Sequence, residues 1–402
     1  MIRTLVVGEC NHLLFDRLSV NLGNRELPLE VKFVAERFQI ERAVSAWKPH
    51  VIISFAEERT RCGIESLPWD IRRRWVNYPF GFSTREHAIG AILAMYTKTI
   101  TQARNRPNKL VSVVTTAFNT GSLILRAYDS LRGQRYQEWE WVIYDDSTEQ
   151  ETIEILRSLA DHDCRVRVYR GKSHSGVIGD VKRRAFTLAE GEILVELDHD
   201  DELTNDCLEL LVDAFAANPE CGFAYTECAE VEADGSPIRY GETFAFGFGS
   251  YRPYPYMYQS RPLLVTNYPP INVKTLSHIV GVPNHVRAWT RDAYHKTGGH
   301  NPDLFVCDDY ELLIRTFLTT RMLHIRHLGY IQHRVGGKSN THQIRNAEIQ
   351  RQVAIFSNAY ARDIESRAQE LLGSAFKPEL NQQLNLEYSL VQENTRKTGT
   401  HG

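Results

Sequence analysis

Ile193-Leu194-Val195-Glu196-Leu197-Asp198-His199-Asp200-Asp201 is the stretch on which the fold turns. An apolar, β-branched run opens it and a cluster of carboxylates closes it. A short apolar run of this kind suits a buried strand, so the carboxylates stand at the strand's C-terminal end. In open α/β sheets that edge is where ligands bind. Three aspartates so close repel one another unless a cation neutralises them. Hard oxygen ligands suit Mg²⁺ or Mn²⁺. A solvated acidic turn that caps the helix near Leu208 explains the same residues as well.

Two more acidic pairs lie on either side. Asp145-Asp146-Ser147 follows the apolar run Trp141-Val142-Ile143-Tyr144. These carboxylates suit a nucleobase N–H or a ribose hydroxyl, and equally an N-cap for the helix at Thr152. Cys307-Asp308-Asp309-Tyr310-Glu311-Leu312 opens an apparent helix. The helix dipole favours acids there, and one of them can stay ionised as a general base. Capping explains one aspartate better than two.

Strands alternate with helices around these motifs, as in an α/β domain with a mixed central sheet, and the same alternation in the first hundred residues implies a parallel sheet in a small three-layer unit there. Residues 110–340 read as one α/β domain. Residues 1–101 read as a small flavodoxin- or receiver-like α/β domain: Thr4–Val7, Leu29–Val34 and Val51–Phe55 are strands, and Thr84 caps a helix to Ile100. The third strand ends in Ser54-Phe55, so no phosphoacceptor aspartate is expected there. Packing or partner binding is the plain reading of this domain. The polar run 102–109 reads as a linker. Residues 241–272, rich in Gly, Pro and Tyr, read as an irregular excursion. Residues 341–402 read as a helical extension, with Ile349, Val353, Ile355, Phe356 and Tyr360 near one face, and a polar tail.

Composition sets the outer bounds. The chain has 402 residues, 42% hydrophobic and 24% charged, with Lys+Arg 47 against Asp+Glu 50 and a formal net charge of -3. This is a globular composition with no overall pull toward nucleic acid. No apolar run reaches the roughly 18 residues of a membrane span, and the N-terminus reads as a strand, not a signal peptide. The 7 cysteines are scattered, without a CxxC pair, which argues against disulfides and structural zinc. A cytoplasmic protein is expected, at most peripheral at a membrane. Self-association is left open.

Taken in order, the motifs resemble the family 2 glycosyltransferases, which have the nucleotide-diphosphosugar transferase (GT-A) fold. The resemblance covers about residues 110–335. Leu110 to Asn119 is similar to the family's opening strand and turn, which implies nucleotide contacts from Thr115, Ala117, Phe118 and Asn119. Asp145 and Asp146 resemble its nucleoside-binding aspartates. Lys182-Arg183 stands where the family has Arg-Asn. Asp198-His199-Asp200-Asp201 resembles its DxDD metal motif, which implies Asp198 and Asp200 as ligands, with His333 as a third and His199 beside the donor. Gly298-Gly299 followed by Asp308-Asp309 resembles its second acidic motif. Near the acceptor or diphosphate the resemblance implies His285, Arg287 and Trp289, with Arg334 and Lys338 on a closing segment.

The expected activity is metal-dependent, inverting transfer of a sugar to a hydroxyl of a glycan or glycoconjugate. Mn²⁺ or Mg²⁺ is the expected cofactor. A UDP-sugar is the first choice of donor, with GDP- and dTDP-sugars next. Asp309, with Asp308 beside it, is the expected base. Thr116 replaces the family's usual proline, and Lys182-Arg183 replaces Arg-Asn, so the nucleotide is less fixed than the reaction. A nucleotidyltransferase or an inactive sugar-nucleotide-binding module remains the alternative.

Overall fold

A computed structural model of the chain describes residues 2–7, 19–22, 25–34, 40, 43–44, 46–47, 49–54, 75–77, 84–105, 109–241, 249–258, 261–278, 283–334 and 345–388. It divides into two compact units, residues 1–108 with 132–137, and residues 109–131 with 138–402.

The first unit holds a five-stranded sheet: β1 (Ile2–Val7), β2 (Ser19–Leu22), β3 (Arg25–Val34), β4 (Val51–Ser54) and β5 (Trp75–Asn77). The order is β2-β3-β1-β4-β5, parallel except for the β2–β3 pair. Successive strand residues face opposite sides. Ile2, Val6, Val51 and Ile53 therefore pack on Ala88 and Ile92 of helix α1 (Arg85–Asn105), while Leu5, Val7 and Ile52 pack on Ile40 and Val44. The expected cap is made: the His87 N–H donates to Thr84 Oγ1 at 3.2 Å. Helix α1 runs on to Asn105, into the stretch read as linker.

The second unit is built on a mixed sheet of 11 strands. Its parallel half is β8 (Val166–Arg170), β7 (Trp139–Asp145), β6 (Val111–Ala117) and β9 (Ile193–Glu196). Helices α2 (Ile124–Arg132), α3 (Gln150–His162) and α4 (Ile178–Thr187) connect these strands. Beyond β9 the sheet turns antiparallel through β14 (Arg287–Thr290) to β11 (Cys221–Glu232), then continues through β15 (Arg321–Arg334) to the short β10 (Glu202–Leu203). Helix α5 (Cys207–Ala217) leads from β10 to β11. The carboxyl ends of β6, β7 and β9 thus carry Phe118-Asn119, Asp146 and Asp198, as a ligand-binding edge requires.

Two expectations need correction. Much of residues 241–272 is regular: β12 (Ser250–Tyr258) and β13 (Arg261–Asn267) form an antiparallel ladder, and β13 pairs with β11. The prolines that suggested irregularity sit on a strand with no second partner among the described residues, where a missing N–H is tolerated. Helix α9 (Asn346–Leu372) buries Ile349, Val353, Ser357, Ile364 and Ala368, while Ile355 faces outward. It packs on α6 (Val273–His278) and, beyond the short α7 (Arg291–Lys296) in the chain, on α8 (Asp308–Thr319) of the same unit. Ser357 Oγ donates to Ser277 O, and Tyr360 OH donates to Glu311 Oε1 at 2.9 Å. The polar tail beyond Tyr388 lies outside the described residues.

Candidate active site

The acidic turn after β9 is tight. Asp201 N donates to Asp198 O at 3.4 Å, which folds the fourth residue back toward the first. Asp201 is buried. Its Oδ2 accepts from Tyr330 OH at 2.9 Å and its Oδ1 from the His333 N–H at 2.7 Å. Burial, with Asp198 and Asp200 beside it, pushes its carboxyl well above the usual carboxylate range. Tyr330 OH also accepts from the Asp198 N–H at 3.1 Å, and its ring stacks on His285 with centroids 4.4 Å apart.

Asp198, Asp201 and His285 therefore converge, with one ligand atom of each within 4.8 Å of the others. His285 Nε2 lies 3.4 Å from Asp198 Oδ2, and His285 Nδ1 is buried without a hydrogen-bond partner among the described residues. Burial drops the His285 pKa to about 4, so the ring is neutral with a lone pair free to ligate. Two carboxylates and a neutral imidazole fit a divalent cation. This group differs from the expected Asp198, Asp200 and His333. The turn sends Asp200 toward His199, whose Nδ1 is 3.8 Å from Asp200 Oδ1 and 2.7 Å from Thr120 Oγ1. His333 Nε2 is engaged by Glu202 Oε1 at 2.8 Å and Tyr258 OH at 3.2 Å. Sequence spacing alone does not say which carboxylates of DxDD share a face.

Beside this group lies a buried network of charges. Arg287 on β14 and Glu196 on β9 are directly opposite one another in the antiparallel register, so their side chains share a face. Arg287 Nε lies 3.2 Å from Glu196 Oε2, and its NH1 donates to Asp309 Oδ2 at 2.8 Å. Lys182 Nζ, on α4, is 2.6 Å from Glu196 Oε1 and 3.3 Å from Asp308 Oδ2. Glu196, Asp308, Arg287 and Lys182 are all buried. Asp309 is the more open acid of its pair, with a side chain 27% exposed against 6% for Asp308. Although burial opposes its charge, Arg287 and Lys182 hold Asp309 well below the usual carboxylate range. For Asp308 burial prevails, and its carboxyl is pushed up to about 6.

The pair sits at the start of α8, where the Asp309 carboxylate also accepts its neighbour's N–H (Tyr310 N, 2.7 Å). Cys307, the residue before the helix, has φ 58. The preceding turn needs Gly298 and Gly299, at φ 84 and 69, a region closed to most residues. Arg315 and Arg183 grip its carbonyls: Arg315 NH2 donates to Gly299 O at 2.8 Å, and Arg183 NH1 to Gly298 O at 2.8 Å and His300 O at 3.0 Å. Arg183, read as a donor contact, is thus an anchor for this turn.

At the other carboxyl ends, Asp145 turns inward, accepting from Arg170 NH1 at 2.6 Å and Ser147 N at 3.0 Å. The Asp146 carboxylate accepts from the Ser175 and Gly176 N–H groups at 2.8 and 3.1 Å, with His174 Nδ1 at 2.8 Å. Phe118 stands 48% exposed after the buried Ala117 and stacks on His174, centroids 5.0 Å apart. Asn119 Oδ1 accepts from Thr148 N and Glu149 N and so ties the two loops together. Thr115 is spent inside: its Oγ1 donates to Leu197 O at 2.7 Å and accepts from Trp141 Nε1 at 2.8 Å.

Three acceptor or diphosphate expectations come out differently. Trp289 is core, only 1% exposed, with its Nε1 on Thr316 Oγ1 at 3.0 Å, so its face is closed to a sugar. Arg287 serves carboxylates of the chain itself. Arg334 lies over the Tyr240 ring and beside Glu230. Lys338 lies outside the described residues. Sequence reasoning gives no individual role to Glu196, Asp201 or Tyr330, although Glu196 and Asp201 stand inside its acidic motif. Glu196 carried a signal: a carboxylate inside an otherwise apolar strand run requires a buried partner.

Residues 112–272 match the family described as Glycosyl transferase family 2. The chondroitin synthase of Pasteurella multocida (strain Pm70) is 26% identical over 60% of this chain and 22% of its own length. The hyaluronan synthase of Pasteurella multocida is 26% identical over 55% of this chain and 20% of its own. The chain therefore spans about a fifth of these relatives. Among solved structures, S. aureus TarS 1-349 in complex with UDP-GlcNAc aligns with a TM-score of 0.47 at 16% identity, covering 65% of this chain and 71% of that one. Among the described residues no helix is long and apolar enough to cross a membrane.

Proposed function

We propose, from the premise that residues 112–272 form a family 2 glycosyltransferase domain, that this chain moves a sugar from a nucleotide-diphosphate donor to an acceptor hydroxyl with inversion. The observation that carries the reading is the placement of Asp309. It is an ionised, partly exposed carboxylate, fixed by Arg287, and Arg287 lies two residues along the chain from His285 and its contact with Asp198.

Asp309 accepts the proton of the acceptor hydroxyl as the oxygen attacks the anomeric carbon. The nucleoside diphosphate leaves from the opposite face. Arg287 keeps the carboxylate aimed, and such preorganised charge is a large part of what an enzyme contributes. Asp198, Asp201 and His285 would hold Mn²⁺ or Mg²⁺, the two carboxylates supplying the hard oxygen ligands that both ions take. Such an ion, when bound, supplies Lewis-acid charge to the departing diphosphate. Asp146, His174 and the exposed Phe118 ring offer the nucleoside its hydrogen-bonding and stacking groups. The Asp146 carboxylate already meets Ser175 N, Gly176 N and His174 Nδ1, which fixes its orientation and leaves acceptor capacity on Oδ1 for a donor N–H or hydroxyl.

Calorimetric titration with UDP, GDP and dTDP, each with and without Mn²⁺, tests the reading. One nucleotide should bind tightly only with the metal, and Asp201→Ala should abolish that dependence. Failure of all three to bind would overturn the nucleotide-sugar reading.

A further inference from the structure

Glu196 belongs to neither the acidic turn nor the helix-start pair, yet it lies between them. Its strand neighbours are apolar and it is 2% exposed. It faces two cations, Lys182 Nζ at 2.6 Å and Arg287 Nε at 3.2 Å. Neither of its oxygens, and not Arg287 Nε, makes an aligned hydrogen bond among the described residues. The contact therefore works through charge and shape more than through directed bonding. Arg287 in turn has one amino group on Asp309. A guanidinium is planar, and fixing one edge fixes where the other points.

We propose that Glu196 is a positioning residue: from beneath the site it holds the Arg287 guanidinium, which sets the orientation of the Asp309 carboxylate. The proposal rests on the reading of Asp309 as base. Register is what makes it possible. Arg287 pairs directly across from Glu196, one strand from the sheet's parallel half. Lys182 pins the other carboxylate oxygen from α4, so Glu196 is held at both ends. Without its charge, Arg287 keeps one carboxylate contact in place of two and is free to tilt with Asp309. A group that only neutralised buried charge would affect folding and spare the reaction. A group that aims Arg287 affects the chemical step and spares donor binding.

The test is a double-mutant cycle on the full chain. Nucleotide release by donor hydrolysis, with water in place of the acceptor hydroxyl so that Asp309 still takes the nucleophile's proton, is followed with Mn²⁺ and a panel of UDP-glucose, UDP-N-acetylglucosamine, GDP-mannose and dTDP-glucose, using the fastest donor. Glu196→Gln keeps the shape and removes the charge. It should lower kcat about 10- to 100-fold, within the loss that a misplaced catalytic group can produce, and leave donor KM within about twofold. In an Asp309→Asn background the same change should have no further effect on kcat, because residues acting as a unit are not additive. Glu196→Asp, which keeps the charge one methylene further from Arg287, should lose less rate than Glu196→Gln; if Glu196→Gln does not fold, Glu196→Asp takes its place in the cycle, and its smaller kcat loss should likewise vanish in the Asp309→Asn background. Additive losses, or a rise in KM matching the fall in kcat, would overturn the proposal and leave Asp309 as base. Full turnover in Asp309→Asn alone would instead remove the base reading, and this proposal with it.

Discussion

Asp308 and Asp309 are chain neighbours with opposite electrostatics, and the difference is why Asp309 is the one proposed as base. Asp308 is the stronger base, pushed up to about 6, but its carboxylate is sealed behind Lys182 and His300. Asp309 is the weaker base, yet it is ionised and open to an acceptor. Geometry precedes basicity in choosing a general base. Asp309→Asn is therefore expected to lower kcat by about 10²- to 10⁴-fold, the usual range for such a group, while UDP or another diphosphate still binds by calorimetry. Lys182 presents the reverse case. Its ammonium, 11% exposed, lies between two buried carboxylates that would be left without it. Lys182→Met should cost about 3–5 kcal/mol of stability, the penalty for breaking a buried pair. A denaturant midpoint unchanged from wild type would show that water reaches this network.

At the level of elements, the site depends on how closely α4 approaches the loop before α8. Gly179, in the first turn of α4, marks that approach. A Cβ there would lie 2.0 Å from Asn301 O and 3.0 Å from Leu304 O, and its own N–H donates to Leu304 O at 3.0 Å. Gly179→Ala must push the helix away, at a cost of about 1–3 kcal/mol as for other overpacking. Because Lys182 is one turn on, the variant should also lose turnover, and a melting temperature equal to wild type would refute the close contact. These elements explain what was legible in the sequence. Apolar runs ending in carboxylates disclosed β7 and β9, and Asp308-Asp309 disclosed the start of α8, because strand periodicity and dipole preference are local. The partnership of Glu196 with Arg287 was hidden, since it depends on a register between strands 91 positions apart (287 less 196). Trp289 looked like a sugar platform because composition does not say which face of a short strand is buried. Asp198 groups with Asp201 and His285 rather than with Asp200 because of the backbone turn after β9, which sequence spacing does not disclose.

The molecule as a whole carries histidines that its interior keeps neutral, and this makes its stability depend on pH. His324 on β15 is 2% exposed, stacks on Tyr225 with centroids 4.6 Å apart, and leaves its Nε2 without a partner among the described residues. Burial, helped by Arg326, drops its pKa to about 3, and burial beside Lys182 does the same for His300. A histidine depressed in this way adds stability that is fully present above its unfolded pKa of about 6.5. That stability is lost as the pH falls toward the folded value, because only the unfolded chain takes up the proton. Asp308 acts in the other sense: its raised pKa favours the native state below about 3.8, and this contribution is lost as the pH rises through 6. Total stability mixes these trends, so a difference measurement is needed. His324→Phe keeps an aromatic ring against Tyr225 and removes the titration. The stability difference between variant and wild type should be level above pH 7. Below about 6.5 it should move in the variant's favour by up to about 1.4 kcal/mol per pH unit, the value of one proton. A difference that stays flat from pH 7 to pH 4.5 would mean that His324 takes up its proton in the folded protein, through an opening of the β11–β15 layer to water.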